Sequence, residues 1–239
     1  MKSQVLPSNP PTDCSLPTHI AYIPDGNRRW AREHGLPTLE GHRKGFKNIE
    51  TAIQFSSQHG IKYTSFFLFS TENWSRSPEE VSYLMELLRF RFAQAEKLAK
   101  KHQLRYKFFG TTTHAPADII DRLHSLEENT KHNSGSTICL CFNYGGHQEI
   151  LDATNKLLKS GKTSLDSIAD FENFLYLPDV PPVDLVIRSS GEQRLSGFML
   201  WRIAYAEFLF ETKYFPELTP TDFAGYLTEF TNRQRRFGK

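Results

Sequence analysis

Cysteine is scarce in this chain, three residues in 239, and none has the spacing that holds zinc or builds a disulfide framework. Charge of one sign is scarce as well: 29 Lys and Arg stand against 27 Asp and Glu, for a formal net charge of +2. That balance is too mild to argue for nucleic acid or an acidic membrane surface. Long apolar runs are missing too. The strongest stretch, 198–210, is interrupted by Arg202 and Glu207 and is too short to span a bilayer. The first seventeen residues contain four prolines (Pro7, Pro10, Pro11, Pro17) and no apolar signal-peptide core. We expect a disordered leader over 1–17 and one folded domain over 18–239, in a cytoplasmic protein with reduced thiols.

What is present is an ordinary globular balance, 38% hydrophobic and 23% charged, in a chain long enough to bury a substantial core. Short apolar runs at 19–23, 62–69, 104–109, 137–142 and 183–187 read as strands, apolar on both faces as in a covered parallel sheet. Cys139 and Cys141 alternate within one of them and should pack the core from a single face. Between the runs lie amphipathic segments at 41–59, 78–102, 115–130, 147–158 and 220–236. The segment 78–102 opens well for a helix, with Pro78 in the first turn and Glu79 and Glu80 at the positive end of the dipole. No internal repeat appears. The alternation predicts a single α/β domain with a central parallel β-sheet surrounded by helices.

In such folds ligands gather where strands end and helices begin. After the first strand comes Pro24-Asp25-Gly26-Asn27-Arg28-Arg29-Trp30. Gly26 permits a tight turn, the following N–H groups can hold an anion, and Asp25 offers a hard oxygen for Mg²⁺. A plain turn with two solvated arginines is the alternative. After the second strand comes Ser70-Thr71-Glu72-Asn73-Trp74-Ser75-Arg76, where Trp74 reads equally as a loop anchor. After the fifth comes Arg188-Ser189-Ser190-Gly191-Glu192-Gln193-Arg194-Leu195-Ser196, the parts of a phosphate cradle or of a polar surface loop. Three such clusters at three strand ends point together to substrates carrying diphosphate. Glu207 is a carboxylate in an apolar stretch, which implies a metal or an ion pair with Arg202 or another arginine.

The stretches 19–30, 65–76, 143–146, 184–196 and 201–207 resemble, in order and spacing, the motifs of the cis-prenyltransferase family, the undecaprenyl diphosphate synthase or Z-type isoprenyl diphosphate synthase group. Asp-Gly-Asn-x-Arg-Trp, Glu-Asn-Trp-x-Arg and Arg-x-x-Gly-Glu-x-Arg-x-Ser are specific in combination. The resemblance implies a homodimeric, Mg²⁺-dependent transferase that condenses isopentenyl diphosphate with an allylic diphosphate and forms Z double bonds. It implies that Asp25 handles the metal, with Glu207 as second ligand, and that Asn73 assists proton removal. Gly26, Asn27, Arg28 and Arg29 would cradle the allylic diphosphate beside Trp30 and His42. Ser70, Thr71 and Glu72 would lie near the reacting ends, with Trp74 and Arg76 holding substrate. Arg188, Arg194, Leu195 and Ser196 match the isopentenyl diphosphate site, and Arg236-Phe237-Gly238 an ending that crosses the dimer interface.

Some positions depart from the family pattern. Thr38 stands where many members carry Arg or Lys for an allylic phosphate contact. Arg28 stands where many have glycine, and Pro24 where long-chain bacterial members have methionine. Leu68 occupies a position that is alanine in long-chain enzymes, and it shares a face with Phe66. With Ile138 these residues would line an apolar tunnel, and the added bulk favours a short or medium product. Ser136, small where a bulky floor residue is expected, argues instead for an undecaprenyl-type carrier-lipid synthase. Two other classes remain: a noncatalytic subunit of a heteromeric prenyltransferase, which would lack motifs retained here, and a nucleic-acid-binding module, which the near-neutral charge disfavours. Any membrane association would come through the lipid product alone.

Overall fold

The computed structural model describes residues 16–233. Cys14, nearly all of the expected leader and the 236–238 ending lie outside the described residues. Six strands run β1 (His19–Ile23), β2 (Tyr63–Ser70), β3 (Arg105–Phe109), β4 (Thr137–Tyr144), β5 (Leu185–Arg188) and β6 (Glu207–Phe210). They form one sheet in the order β3-β4-β2-β1-β5-β6, and every pairing is parallel. The helices are α1 (Asn27–Glu33), α2 (Thr38–Gln58), α3 (Pro78–His102), α4 (Ala117–Thr130), α5 (Gly146–Lys159), α6 (Ile168–Glu172) and α7 (Pro220–Asn232).

Period-two alternation sorts the strand residues between two cores. Ile20, Tyr22, Phe66 and Ile138 join the side chains of α2, α3, α4 and α7 on one face. Ala21, Ile23, Cys139 and Cys141 face the other way, against Val180, Val183, Phe198 and Met199. Both cysteines are free and buried, and burial pushes the Cys139 thiol up to about 12, so they act as small apolar side chains.

Local signals set the helix ends. Ser77 caps α3 by accepting the Glu80 N–H at 3.3 Å, Lys100, Lys101 and His102 occupy the last turn, and Gln103 closes it with φ 52°. Thr219 and Asp222 exchange bonds at the start of α7. Two elements went unforeseen. The first is α6, only five residues long. The second is β6, which begins at Glu207 inside the stretch that its charges made unreadable as a strand.

The strand order decides where a site can form. From β1 the chain moves to β2 on one side, and from β5 to β6 on the other, so the carboxyl ends of β1 and β5 flank a topological switch point. The Asp25 turn follows β1 and the Arg188–Ser196 loop follows β5.

Candidate active site

Gly26 makes the turn after β1. Its φ is +90°, and a Cβ there would lie 2.4 Å from Tyr214 and 2.8 Å from Ser190, so only glycine fits. The turn aims the Asp25 carboxylate at β5. Oδ2 accepts a bond from Arg188 Nη2 at 2.8 Å, Oδ1 accepts the Gly26 N–H at 2.6 Å, and Arg29 Nη2 stands 3.5 Å away. Burial would raise the Asp25 pKa, but the Arg188 bond, the Gly26 amide and the two guanidinium charges outweigh it and hold the carboxyl below its ordinary value. Arg188 is 4% exposed and also donates to Ser196 Oγ at 2.9 Å and to the Arg194 carbonyl. Arg29 donates to Ser190 Oγ at 2.6 Å and pairs with Glu192 at 2.8 Å.

Two confluent cavities open around this cluster. One, of about 300 Å³, is lined by Asp25, Asn27, His42, Ser70, Asn73, Arg76, Arg188, Arg194 and Ser196. The other, of about 810 Å³, is more open and takes in Gly26, Arg28, Arg29, Arg32 and Thr38. Together six arginines (28, 29, 32, 76, 188 and 194) face two lining carboxylates, Asp25 and Glu192, an excess of positive charge suited to polyanions. Arg32 was not singled out from the sequence. Thr38, the first residue of α2, is exposed at the rim.

Glu80 is a second unforeseen participant. It accepts from Arg76 at 2.9 Å and from His42 Nε2 at 3.2 Å, and lies 3.7 Å from Arg28. His42 is 5% exposed; burial lowers its pKa more than the Glu80 charge raises it, so it faces the cavities as a neutral ring. The signal was present in the sequence as one i,i+4 pair, Arg76–Glu80, but the first-turn glutamate reads there as ordinary dipole compensation.

Other expected residues are placed elsewhere. Trp30 packs against His34, ring centres 4.5 Å apart, with Lys44 over its face, and does not line either cavity. Trp74 stacks edge-on against Phe69 at 4.7 Å and donates to Asn143 Oδ1 at 2.7 Å, the anchoring role that was its alternative reading. Asn143, at φ 48°, in turn donates to the Thr111 and Thr113 carbonyls. Thr71 abuts Gly145, Glu72 is exposed, and Leu195 packs into the core beneath the loop. Asn73 Oδ1 accepts the Ser70 N–H at 3.1 Å, capping the short 3-10 turn Thr71–Ser75.

Glu207 stands apart from Asp25 within the chain. It aligns with Leu185 at the amino end of β5, whereas Asp25 follows Ile23, which aligns with Arg188 at the carboxyl end. Three residues of strand, about 10 Å, separate those levels within one chain. Glu207 instead pairs with Arg233 at 3.0 Å, the arginine-pair alternative, while Arg202 turns inward to the carbonyls of Val180 and Leu177. Among the described residues no group of three or more His, Cys, Asp or Glu could hold a metal.

The tunnel wall also differs from expectation. Phe66 and Ile138 are sealed in the core, and the Ser136 hydroxyl is tied to the Ile61 carbonyl at 2.7 Å. Leu68 alone of the named residues lines a cavity, and it lines two: the 300 Å³ polar mouth and an apolar cavity of about 60 Å³ between α2, α3, α4 and the sheet. Phe46, Ile49 and Leu68 belong to both, so a mostly apolar cavity lies directly behind the polar mouth. No helix among the described residues is long and apolar enough to cross a membrane.

Comparison with known proteins agrees with this geometry. The family model described as "Putative undecaprenyl diphosphate synthase" matches residues 23–238. An isoprenyl transferase of Thermotoga maritima is 41% identical over 226 residues, covering 93% of this chain and 97% of its own length. A ditrans,polycis-undecaprenyl-diphosphate synthase of Micrococcus luteus, (2E,6E)-farnesyl-diphosphate specific, is 36% identical over 99% of this chain and 97% of its own. Among solved structures, lavandulyl diphosphate synthase from Lavandula x intermedia in complex with dimethylallyl diphosphate superposes with a TM-score of 0.89 at 33% identity, covering 94% of this chain and 99% of that one.

Proposed function

The chain belongs to the undecaprenyl diphosphate synthase family of cis-prenyltransferases, and from that premise we propose that it condenses isopentenyl diphosphate with an allylic diphosphate in a Mg²⁺-dependent reaction, forming a Z double bond and a product of short or medium length. The observation that carries this reading is the sequence of environments along one path: a mouth with six arginines, then Leu68, then hydrocarbon. A diphosphate fits the first and an isoprenoid tail the last.

Each residue then has work that its surroundings support. Breaking the allylic C–O bond puts charge on the departing diphosphate, which Arg28, Arg29, Arg76 and the first amides of α1 are placed to stabilise. Arg188, Arg194 and Ser196 hold the isopentenyl diphosphate from the β5 loop. Ionised Asp25 stands between the two groups. Mg²⁺ needs few protein ligands when substrate phosphates supply the rest, so the single carboxylate of Asp25 suits it, and the ion would add further stabilisation of diphosphate charge. The dry wall of Phe46, Ile49 and Leu68 keeps water from the cationic fragment. The proton lost from the isopentenyl unit goes to diphosphate oxygen, since the amide of Asn73 is too weak a base to keep it; Asn73 assists by holding the turn, through the Ser70 N–H bond to its oxygen.

Two features support a short or medium product. Leu68 stands at the neck. The space beyond it, about 60 Å³, is less than half of an apolar cavity that admits benzene, roughly 150 Å³. We assign the homodimer to the same reading: β6 is an open sheet edge with Tyr205 80% and Phe210 36% exposed beside it. Glu207 would then serve a metal only across copies. The test is incubation of the purified protein with labelled isopentenyl diphosphate and primers of increasing length, followed by product sizing. Z-configured chains of well under ten isoprenyl units are expected; chains mainly of ten or more would leave the family assignment and overturn the length.

A further inference from the structure

The segment 211–215, just after β6, is bonded to both strand-end loops at once. The Glu211 N–H donates to the Arg188 carbonyl, and the Ser190 and Gly191 N–H groups donate back to the Lys213 and Glu211 carbonyls, each at 2.8 Å. The Phe215 N–H then donates to the Asp25 carbonyl at 3.0 Å. Backbone alone thus holds the β5 loop and the β1 turn in register. None of these bonds depends on which side chain stands at position 214.

That side chain is Tyr214, partly buried, and its ring closes on the bare α-carbon of Gly26. The Arg29 guanidinium lies over the ring, 5.7 Å from its centre. The hydroxyl donates to Glu33 Oε1 at 2.5 Å, one helical turn beyond Arg29 on the same side of α1. A guanidinium over a phenol is attracted by the ring's negative face, and the flat contact fixes the plane in which its N–H groups point. Those of Arg29 point to Ser190 Oγ, Glu192 and Asp25.

We propose that Tyr214 is a positioning residue for prenyl transfer: its ring, rather than its hydroxyl, holds Arg29 in the plane that meets the allylic diphosphate. This rests on the reading of the protein as a prenyltransferase and deepens the part given there to Arg29. An arginine already immobilised loses less side-chain entropy when substrate binds, and the gain appears as tighter binding of the primer. The hydroxyl matters little, because Glu33 is exposed and a bond to it merely replaces one to water.

The experiment measures Kd for dimethylallyl diphosphate by calorimetry, without isopentenyl diphosphate so that nothing turns over. The proteins are the wild type, Tyr214→Phe, Tyr214→Leu, Arg29→Ala and the double variant Tyr214→Leu/Arg29→Ala. Tyr214→Leu is expected to raise Kd about two- to thirtyfold, the span of a cation–π contact. Tyr214→Phe keeps the ring and is expected to bind as the wild type does. In the Arg29→Ala background the leucine should add no further loss, since the partner it acts through is gone. KM for isopentenyl diphosphate, read alongside, should be unchanged in both Tyr214 variants. Equal losses in Tyr214→Phe and Tyr214→Leu would overturn the role of the ring. A full further loss in the Arg29→Ala background, or an isopentenyl diphosphate KM raised as much as the primer Kd, would show general loosening and overturn it too. If circular dichroism shows Tyr214→Leu unfolded, Tyr214→Met, unbranched and of longer reach, takes its place. Absence of primer binding and of any prenyl product from the wild type would instead overturn the functional reading beneath it.

Discussion

Asp25 is held ionised against its own burial. Desolvation would favour the neutral acid, and the Arg188 bond, the Gly26 amide and Arg29 reverse that preference. The two arginines of the β5 loop differ in kind. Arg188 is 4% exposed and braces both Asp25 and the loop, so removing it would leave a half-buried carboxylate short of its partner. Arg194 is 60% exposed and, among the described residues, pairs with Glu192 alone, so its removal reports on substrate contact. We therefore predict that Arg194→Ala raises KM for isopentenyl diphosphate far more than for the allylic primer, with a loss of about 1.5–3 kcal/mol in kcat/KM. Steady-state kinetics varying each substrate checks it, and equal effects on both would show the two diphosphate sites to be wrongly assigned.

Elements explain what single residues could not. β2 carries an extra residue between Phe67 and Phe69, and β4 shows a compensating irregularity beside Asn143. The bulged residue is Leu68, and the irregularity lets Leu68 and Phe69 both face the α2–α3 side while Phe67 stacks on Phe198 behind the sheet. Alternation placed Leu68 on the face of Phe66, and it is there; that Phe66 is sealed in while Leu68 lines a cavity depends on the bulge and on the helix above, which no period-two pattern contains. Leu68→Ala is predicted to lengthen the main product by one or more isoprenyl units; an unchanged distribution would contradict a neck at this position. The long helix α3 was legible because cap, proline, dipole charges and apolar stripe all agree. β6 was not, since its four residues start on a charge and its partner β5 lies 22 residues back in the chain. The strand-end clusters were legible as polar loops. That Trp74 and Trp30 anchor rather than line, and that Glu80 joins three basic groups, required helix packing to be known.

At the scale of the whole molecule, one parallel sheet with a switch point between β1 and β5 brings two distant loops to a single mouth. The same sheet buries a histidine at its centre. His19 donates from Nδ1 to the Pro181 carbonyl at 2.9 Å and accepts the Ser65 hydroxyl at Nε2, 2.7 Å away. Burial lowers its pKa from 6.5 to about 4, beyond what its bonds and Asp184 restore. The unfolded chain therefore takes up this proton first. The stability contributed by neutral His19 is fully present above pH 6.5 and is lost as pH falls towards 4. The loss should reach about 3 kcal/mol. Urea unfolding at pH 7 and pH 4.5 checks it, with His19→Gln expected to flatten the profile; equal midpoints for the wild type would contradict the buried neutral ring. The central claim, that Asp25 at this switch point serves prenyl transfer between two diphosphates, is tested most directly by the rate of isopentenyl diphosphate condensation in wild type and Asp25→Ala under saturating Mg²⁺. The account predicts a fall of several orders of magnitude in a variant whose circular dichroism is unchanged; a folded Asp25→Ala enzyme that condenses at the wild-type rate would contradict it.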